Sequence, residues 1–355
     1  MAEQLSRTIK MIGSLDEKAM DEARARQDML TKPQGSLGRL EELSIQLAGI
    51  QAKPIPQIKN KAVITMAGDH GVVAEGVGNF PQEVTAQMVL NFLRGGAGIN
   101  VLSDQVDARI IVVDMGVAGE LNADPRLLSR KVAPATQNMT AGPAMTTEQA
   151  IEAIEAGIEI VNEEAGKGLD IVGTGDMGIG NTTASSAICS VITGRPVAEV
   201  TGRGTGIDDQ QLAHKVEVIN RTLAVNKPDA KQPLDVLVKV GGFEIGGLAG
   251  VMLGAASHRI PVVIDGFISG AAALIATALA PDSRDFLIAA HVSAEAGHGL
   301  LLKYLELEPL LDLRMRLGEG TGAALGIGLS ESAARLLAEM ATFAEAEVSE
   351  RSEDS

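Results

Sequence analysis

An α/β fold built on a mainly parallel sheet is what this sequence predicts, and three observations carry that reading. Short Val/Ile-rich runs such as Val63-Ile64 and Ile110-Ile111-Val112-Val113 alternate with Ala-rich helical patterns, the order that places crossover helices between buried parallel strands. Of 355 residues 45% are hydrophobic but only 2% aromatic, with no Trp, so Ala, Val, Ile and Leu must fill the core. That length suits one large domain plus something smaller. Third, the apolar run Leu169-Asp170-Ile171-Val172 meets four glycines, Gly173, Gly175, Gly178 and Gly180, and then Asn181-Thr182-Thr183 opens a small-residue helical run. Strand, glycine turn, helix is the order of an anion site, because glycine lets the backbone approach and the helix start offers free N–H groups.

Taken in order, residues 14–51 read as helical, with Leu15, Met20, Leu30, Leu37, Leu40, Leu43 and Leu47 on recurring faces. Pro33, Gly35 and Gly38 force a turn, whose Lys32 and Arg39 either connect or reach a ligand. Pro54 and Pro56 mark an extended linker. Residues 61–67 form a strand that runs into Gly68-Asp69-His70-Gly71, and open α/β sheets put their sites just past such strand ends. Asp69 and His70 serve a site there or tie down the loop. Residues 82–93 form a helix ended by Gly95 and Gly96; Phe80, Val84 and Met88 share a face that is either core or the wall for a flat apolar ligand.

Residues 109–114 are the second strand, and 148–164 an amphipathic helix with Ile151, Ile154, Ile158 and Val161 inward. A second glycine loop, Gly202-Arg203-Gly204-Thr205-Gly206, precedes a helix over 210–223 that carries Lys215. Residues 234–240 read equally as strand or helix. Residues 261–265 and 286–291 are strands, Ser293, Glu295 and His298 follow the latter, and a helix over 323–347 leads to a charged end.

The net charge of −16 argues against nucleic acid or an anionic membrane as partner, and leaves any anionic substrate to local dipoles and a few cations. The single Cys189 permits no internal disulfide and suggests a reducing compartment, so a cytoplasmic protein is expected. No signal peptide and no bilayer-spanning apolar run is expected. Neither a nucleophile elbow nor a set of His, Cys and carboxylate at metal spacing is present, which leaves acid–base work by carboxylates. The turns at the strand ends carry Asp69, Asp176, Asp208, Asp265 and Glu319, the last inside Leu317-Gly318-Glu319-Gly320-Thr321-Gly322. Two other readings stay open. Gly173-x-Gly175-x-x-Gly178 fits a dinucleotide fingerprint, hence an oxidoreductase, and a non-catalytic nucleotide-binding protein is also compatible.

Six segments, in order, resemble one family: Ala67-Gly68-Asp69-His70-Gly71-Val72, Pro81-Gln82-Glu83-Val84-Thr85, Gly178-Ile179-Gly180-Asn181-Thr182-Thr183, Lys239-Val240-Gly241-Gly242-Phe243, Asp265-Gly266-Phe267 and Leu317–Gly322. Together they resemble the nicotinate-nucleotide:dimethylbenzimidazole phosphoribosyltransferases. The resemblance implies transfer of a phosphoribosyl group from nicotinate mononucleotide to 5,6-dimethylbenzimidazole, for the lower ligand of cobalamin, with no cofactor and no metal. It implies a Rossmann-like domain over 56–305 with helices on both faces, and a small helical domain from both chain ends, 1–55 and 306–355. It also implies a homodimer whose sites take in the neighbouring subunit. By motif match Glu319 is the catalytic base. The phosphate and ribose fall to Gly175, Asp176, Gly178, Gly180, Asn181, Thr182, Gly202, Gly204, Lys215 and Asp265, and the base pocket to Phe80, Met88 and Leu317. Asp176 departs from the Glu that the family often carries.

Overall fold

The computed structural model describes residues 3–349; the charged end beyond 349 lies outside them. Six strands are described: β1 (Lys61–Gly68), β2 (Ala108–Gly116), β3 (Leu127–Ser129), β4 (Ile171–Met177), β5 (Val262–Ile264) and β6 (Leu287–Ala289). They form one sheet in the order β3-β2-β1-β4-β5-β6, and every neighbouring pair is parallel. This is the doubly wound, Rossmann-like order, in which the strand sequence reverses between β1 and β4 and a crevice opens at their carboxyl ends.

Both faces of the sheet are covered, so β1 is buried along its whole length. Its alternate residues serve two cores: Ala62, Ile64 and Met66 join one, Val63 and Ala67 the other. The helices Thr147–Ala165, Asn181–Thr193, Phe243–Ser257 and Phe267–Leu279 supply Ile154, Ile188, Met252 and Leu274 to the first. Arg39–Gln51, Glu83–Arg94, Gly98–Gln105 and Thr321–Glu339 supply Leu47, Phe92, Ile99 and Ile327 to the second. With so few aromatics the layers approach closely. A Cβ on Gly157 would lie 1.9 Å from the Gly247 carbonyl oxygen, and one on Gly250 1.9 Å from that of Ile154.

The undecided stretch 234–240 is the helix Pro233–Val240, whose proline occupies the first turn, where its missing N–H costs nothing. The last helix stops at Glu339, earlier than its periodicity suggests. The Arg26 guanidinium donates to the carbonyls of Leu337 (2.6 Å), Ala338 (3.1 Å) and Met340 (3.4 Å), satisfying the helix end. The chain then leaves to pair with the first segment: Thr31 N–H donates to Ala341 O and Phe343 N–H to Met29 O, both at 3.0 Å. Helices from the two chain ends thus meet, with Ala23, Ala48 and Leu337 sharing a small core. No helix among the described residues is long and apolar enough to cross a membrane.

Candidate active site

The carboxyl ends of β4, β5 and β6 open onto a cavity of about 220 Å³, lined by Asp176, Gly178, Asn181, Thr182, Gly204, His291, Ser293, Glu295, Arg316, Leu317 and Gly318 among others. A smaller one of about 50 Å³ adjoins it and adds Phe80, Gly180, Arg203 and Lys215. Gly178, Asn181, Thr182 and Gly204 border both. The smaller cavity thus lies between the segments that follow β1 and β4, at the reversal point where ligands of such folds bind, and the larger one extends from β4 toward β5 and β6.

Glu319 stands in a turn of three successive left-handed residues, with φ of +80° at Gly318, +65° at Glu319 and +99° at Gly320. Glycine takes this region freely, but a glutamate there costs about 1–2 kcal/mol, so the surroundings must hold it. They do so through the Glu319 N–H to Asp176 O (3.2 Å) and the Thr65 hydroxyl to Glu319 O (2.9 Å). Gly175 in β4 leaves room for the turn, since a Cβ on it would lie 2.2 Å from the Glu319 carbonyl oxygen. The side chain is only 5% exposed, and its Oε2 accepts the Ile99 N–H (3.2 Å) at the start of the Gly98–Gln105 helix. Burial raises the proton affinity of this carboxylate, the N–H groups of Ile99 and Gly98 oppose that, and the Asp265 charge reinforces it. The result is a stronger base than a free glutamate; Leu317 and Gly318 just before it line the larger cavity, while Glu319 itself lines neither.

Lys215 is 1% exposed and donates to Thr182 Oγ1 at 2.7 Å. Burial pushes its ammonium down to about 8, while the nearby Glu295 works the other way. Thr182 lies in the first turn of the Asn181–Thr193 helix, which Gly180 precedes with φ of +95° and no side-chain cap. A helix start, a lysine and a hydroxyl converge here, the ingredients of a phosphate site. Gly178 allows the backbones to close up, because a Cβ on it would lie 2.1 Å from Gly68 O. Gly202 likewise abuts Glu295, whose Oε2 would lie 1.8 Å from an added Cβ. Asp176 accepts from Asn181 Nδ2 (2.9 Å) through Oδ2, and Oδ1 has no partner among the described residues. Burial first, and the charges of Asp265, Glu244 and Glu319 after it, raise its proton affinity well above the usual carboxylate range.

Other residues singled out in the sequence lie elsewhere. Asp265 is fully buried and lines neither cavity; its oxygens accept N–H groups of Gly320, Gly322 and Ala323 at the start of the last helix, which leaves it unable to face a ribose or phosphate. Gly173 and Gly175 are inside β4 rather than in the turn, so the dinucleotide fingerprint has no phosphate cradle at its first two positions. Met88 is half-buried and packs against the second core, and Phe80 borders the small cavity with Lys215, away from Leu317 in the large one. Lys32 pairs with Glu41 at 2.8 Å and Arg39 with Glu42, so neither reaches the crevice. Asp69 accepts from Thr85 Oγ1 (2.6 Å) and Ala118 N–H (2.8 Å), which ties the loop after β1. Asp208 caps the Asp209–Asn226 helix and Asp209 pairs with Arg203.

Four residues of the cavity wall carry no site role in the sequence reading: Arg316, which no motif marks, and His291, Ser293 and Glu295, whose spacing reads as structural. Arg316 donates to Gly204 O at 2.9 Å and so ties the second glycine loop to the turn that leads to Glu319. Beneath them His70 and Glu244 form a buried pair at 2.6 Å; burial lowers the histidine's proton affinity, but the Glu244 charge and hydrogen bond outweigh it and carry it above the ordinary value.

A phosphoribosyltransferase family profile matches residues 12–348. The nicotinate-nucleotide–dimethylbenzimidazole phosphoribosyltransferase of Desulforudis audaxviator is 60% identical over 350 residues, covering 99% of each chain. That of Roseiflexus sp. strain RS-1 is 61% identical with the same coverage. The crystal structure of the nicotinate-nucleotide–dimethylbenzimidazole phosphoribosyltransferase of Thermus thermophilus superposes with a TM-score of 0.90 at 46% identity, covering 95% of this chain and 100% of that one. Near-complete coverage, high identity and a shared fold lead to one statement: the chain belongs to the nicotinate-nucleotide–dimethylbenzimidazole phosphoribosyltransferase family.

Proposed function

We propose that this enzyme moves the phosphoribosyl group of nicotinate mononucleotide to 5,6-dimethylbenzimidazole, giving α-ribazole 5′-phosphate and nicotinate for the cobalamin lower ligand. The free ring nitrogen of the benzimidazole attacks C1′ and forms the new C–N bond. The bond from C1′ to the pyridinium nitrogen breaks, its electron pair stays on nicotinate, and the benzimidazole N–H proton passes to Glu319. Attack opposite the leaving group turns the β-nucleotide into an α-product. The cationic leaving group departs without a Lewis acid, so neither metal nor cofactor is part of this scheme.

The observation that supports the reading is the glycine-flanked, buried Glu319, raised in basicity and directly following Leu317 and Gly318 of the cavity wall, although its own carboxylate lines neither cavity. Lys215, Thr182 and the backbone from Gly178 to Asn181 are assigned to the 5′-phosphate, with Gly202 and Gly204 shaping the opposite wall. Asp176 is assigned to the ribose, since its Oδ1 is a free acceptor in the cavity lining. Leu317 supports an apolar base pocket; Phe80 belongs to the phosphate side and Met88 contributes only from the core behind. Leu317 is 60% exposed at the cavity rim, which supports a second copy of this chain covering it. The meeting of both chain ends supports a small helical domain over 1–55 and 306–355 beside the main one. Buried, unpaired Cys189 fits work in the reducing cytoplasm.

Incubation with both substrates tests the reading by proton NMR. Stoichiometric nicotinate and an α-configured ribazole phosphate are expected. A β-configured product, or nicotinate released without benzimidazole, contradicts it.

A further inference from the structure

Behind the Glu319 turn stands a carboxylate that touches no cavity. We propose that Asp265 is a positioning residue for the transfer, anchoring the turn so that Glu319 keeps its left-handed backbone and its carboxylate stays on the Gly98–Gln105 helix start. Asp265 follows β5, a fully buried strand paired on both sides, with β4 and β6, so the sheet fixes its place. Its Oδ2 accepts the Gly320 N–H (3.1 Å), and its Oδ1 those of Gly322 (2.7 Å) and Ala323 (3.2 Å). Gly320 is the residue next to Glu319, and the other two open the helix that follows. Both oxygens must accept, a demand that a carboxylate meets and an amide cannot.

The neighbourhood is shaped around this contact. A Cβ on Gly322 would lie 2.7 Å from Asp265 Oδ1 and 2.1 Å from His291 Cδ2, so only glycine lets the carboxylate and the imidazole reach the backbone. His291 Nε2 lies 3.7 Å from Oδ1 on the other side. With the Thr65 hydroxyl and the Asp176 carbonyl on Glu319 itself, the turn is held at both of its ends.

The proposal rests on Glu319 being the base. Asp265→Asn places an amide donor against one of the turn's N–H groups, and the turn shifts. A misplacement of about 1 Å at a catalytic group costs on the order of a hundredfold in rate. Because Asp265 lines neither cavity, both KM values should stay within about twofold while kcat falls about a hundredfold. A double-mutant cycle decides whether the effect passes through Glu319. Asp265→Asn is expected to add nothing in a Glu319→Gln background. Should it not fold, Asp265→Glu, which keeps two acceptor oxygens but displaces them by one methylene, takes its place in the cycle with the same expectations. The proposal is overturned by wild-type kcat in the single variant, by an equal loss of rate in both backgrounds, or by a raised KM for nicotinate mononucleotide. Wild-type turnover in Glu319→Gln alone would instead remove the assignment of the base, whatever Asp265→Asn does.

Discussion

Lys215 shows how one residue changes character on burial. On sequence alone it is one lysine of a polar helix; in the fold it is enclosed, pushed down to about 8, and bonded to Thr182. Its charge is present below that value and is lost as pH rises through it. The KM for nicotinate mononucleotide should therefore climb above about pH 8, by up to tenfold per pH unit, while the KM for the benzimidazole stays flat. In Lys215→Ala the climb should vanish and the KM start at least about tenfold higher, as loss of a charge-assisted hydrogen bond to phosphate implies. Steady-state kinetics from pH 7 to 9 check both, and equal KM values in the two proteins would return the lysine to a structural role. The unusual backbone around Glu319 was legible from its flanking glycines, Gly318 and Gly320. Asp265 was singled out for the ribose and phosphate but not for this turn, because its partners Gly320, Gly322 and Ala323 lie more than fifty residues on and no local pattern announces them. Arg316 was missed for the same reason: its partner, Gly204, is 112 residues away.

Whole elements were read where periodicity or punctuation is strong. The Thr147–Ala165 helix has its amphipathic stripe and a Thr146–Gln149 capping box, β1 has an apolar run, and β4 a short one met by glycines. Short β3 was not foreseen, and Pro233–Val240 stayed undecided, because a few apolar residues fit either period. The end of the last helix depends on Arg26, from the opposite end of the chain, so local pattern placed it too far on. The close contact between Thr147–Ala165 and Phe243–Ser257 gives a test at this scale. Gly157→Ala sets a methyl 1.9 Å from the Gly247 carbonyl oxygen and forces the helices apart. A loss of about 1–3 kcal/mol is expected in urea unfolding, with KM for both substrates unchanged. Unaltered stability would mean that the two helices are less tightly engaged.

For the molecule as a whole, the parallel α/β class followed from composition and alternation, but the strand order did not. Only the assembled order shows that the Asp176–Asn181 turn, the Gly204 loop and the Leu317–Gly318 turn surround one cavity at the carboxyl ends of β4, β5 and β6. Among the described residues no group of His, Cys, Asp and Glu is arranged to hold a metal ion. Together with a leaving group that carries its own positive charge, this predicts full activity after exhaustive chelation. Loss of turnover restored by a divalent cation would contradict that.

The central claim is that Glu319 removes the benzimidazole proton during a single displacement at C1′. Turnover and substrate binding of Glu319→Gln, measured on the same preparation, test it most directly. The amide keeps the side chain's size and can still accept the Ile99 N–H, so both substrates should bind as in the wild type while turnover falls by about 10²–10⁴, the usual share of a general base. Wild-type turnover in that variant would contradict the claim.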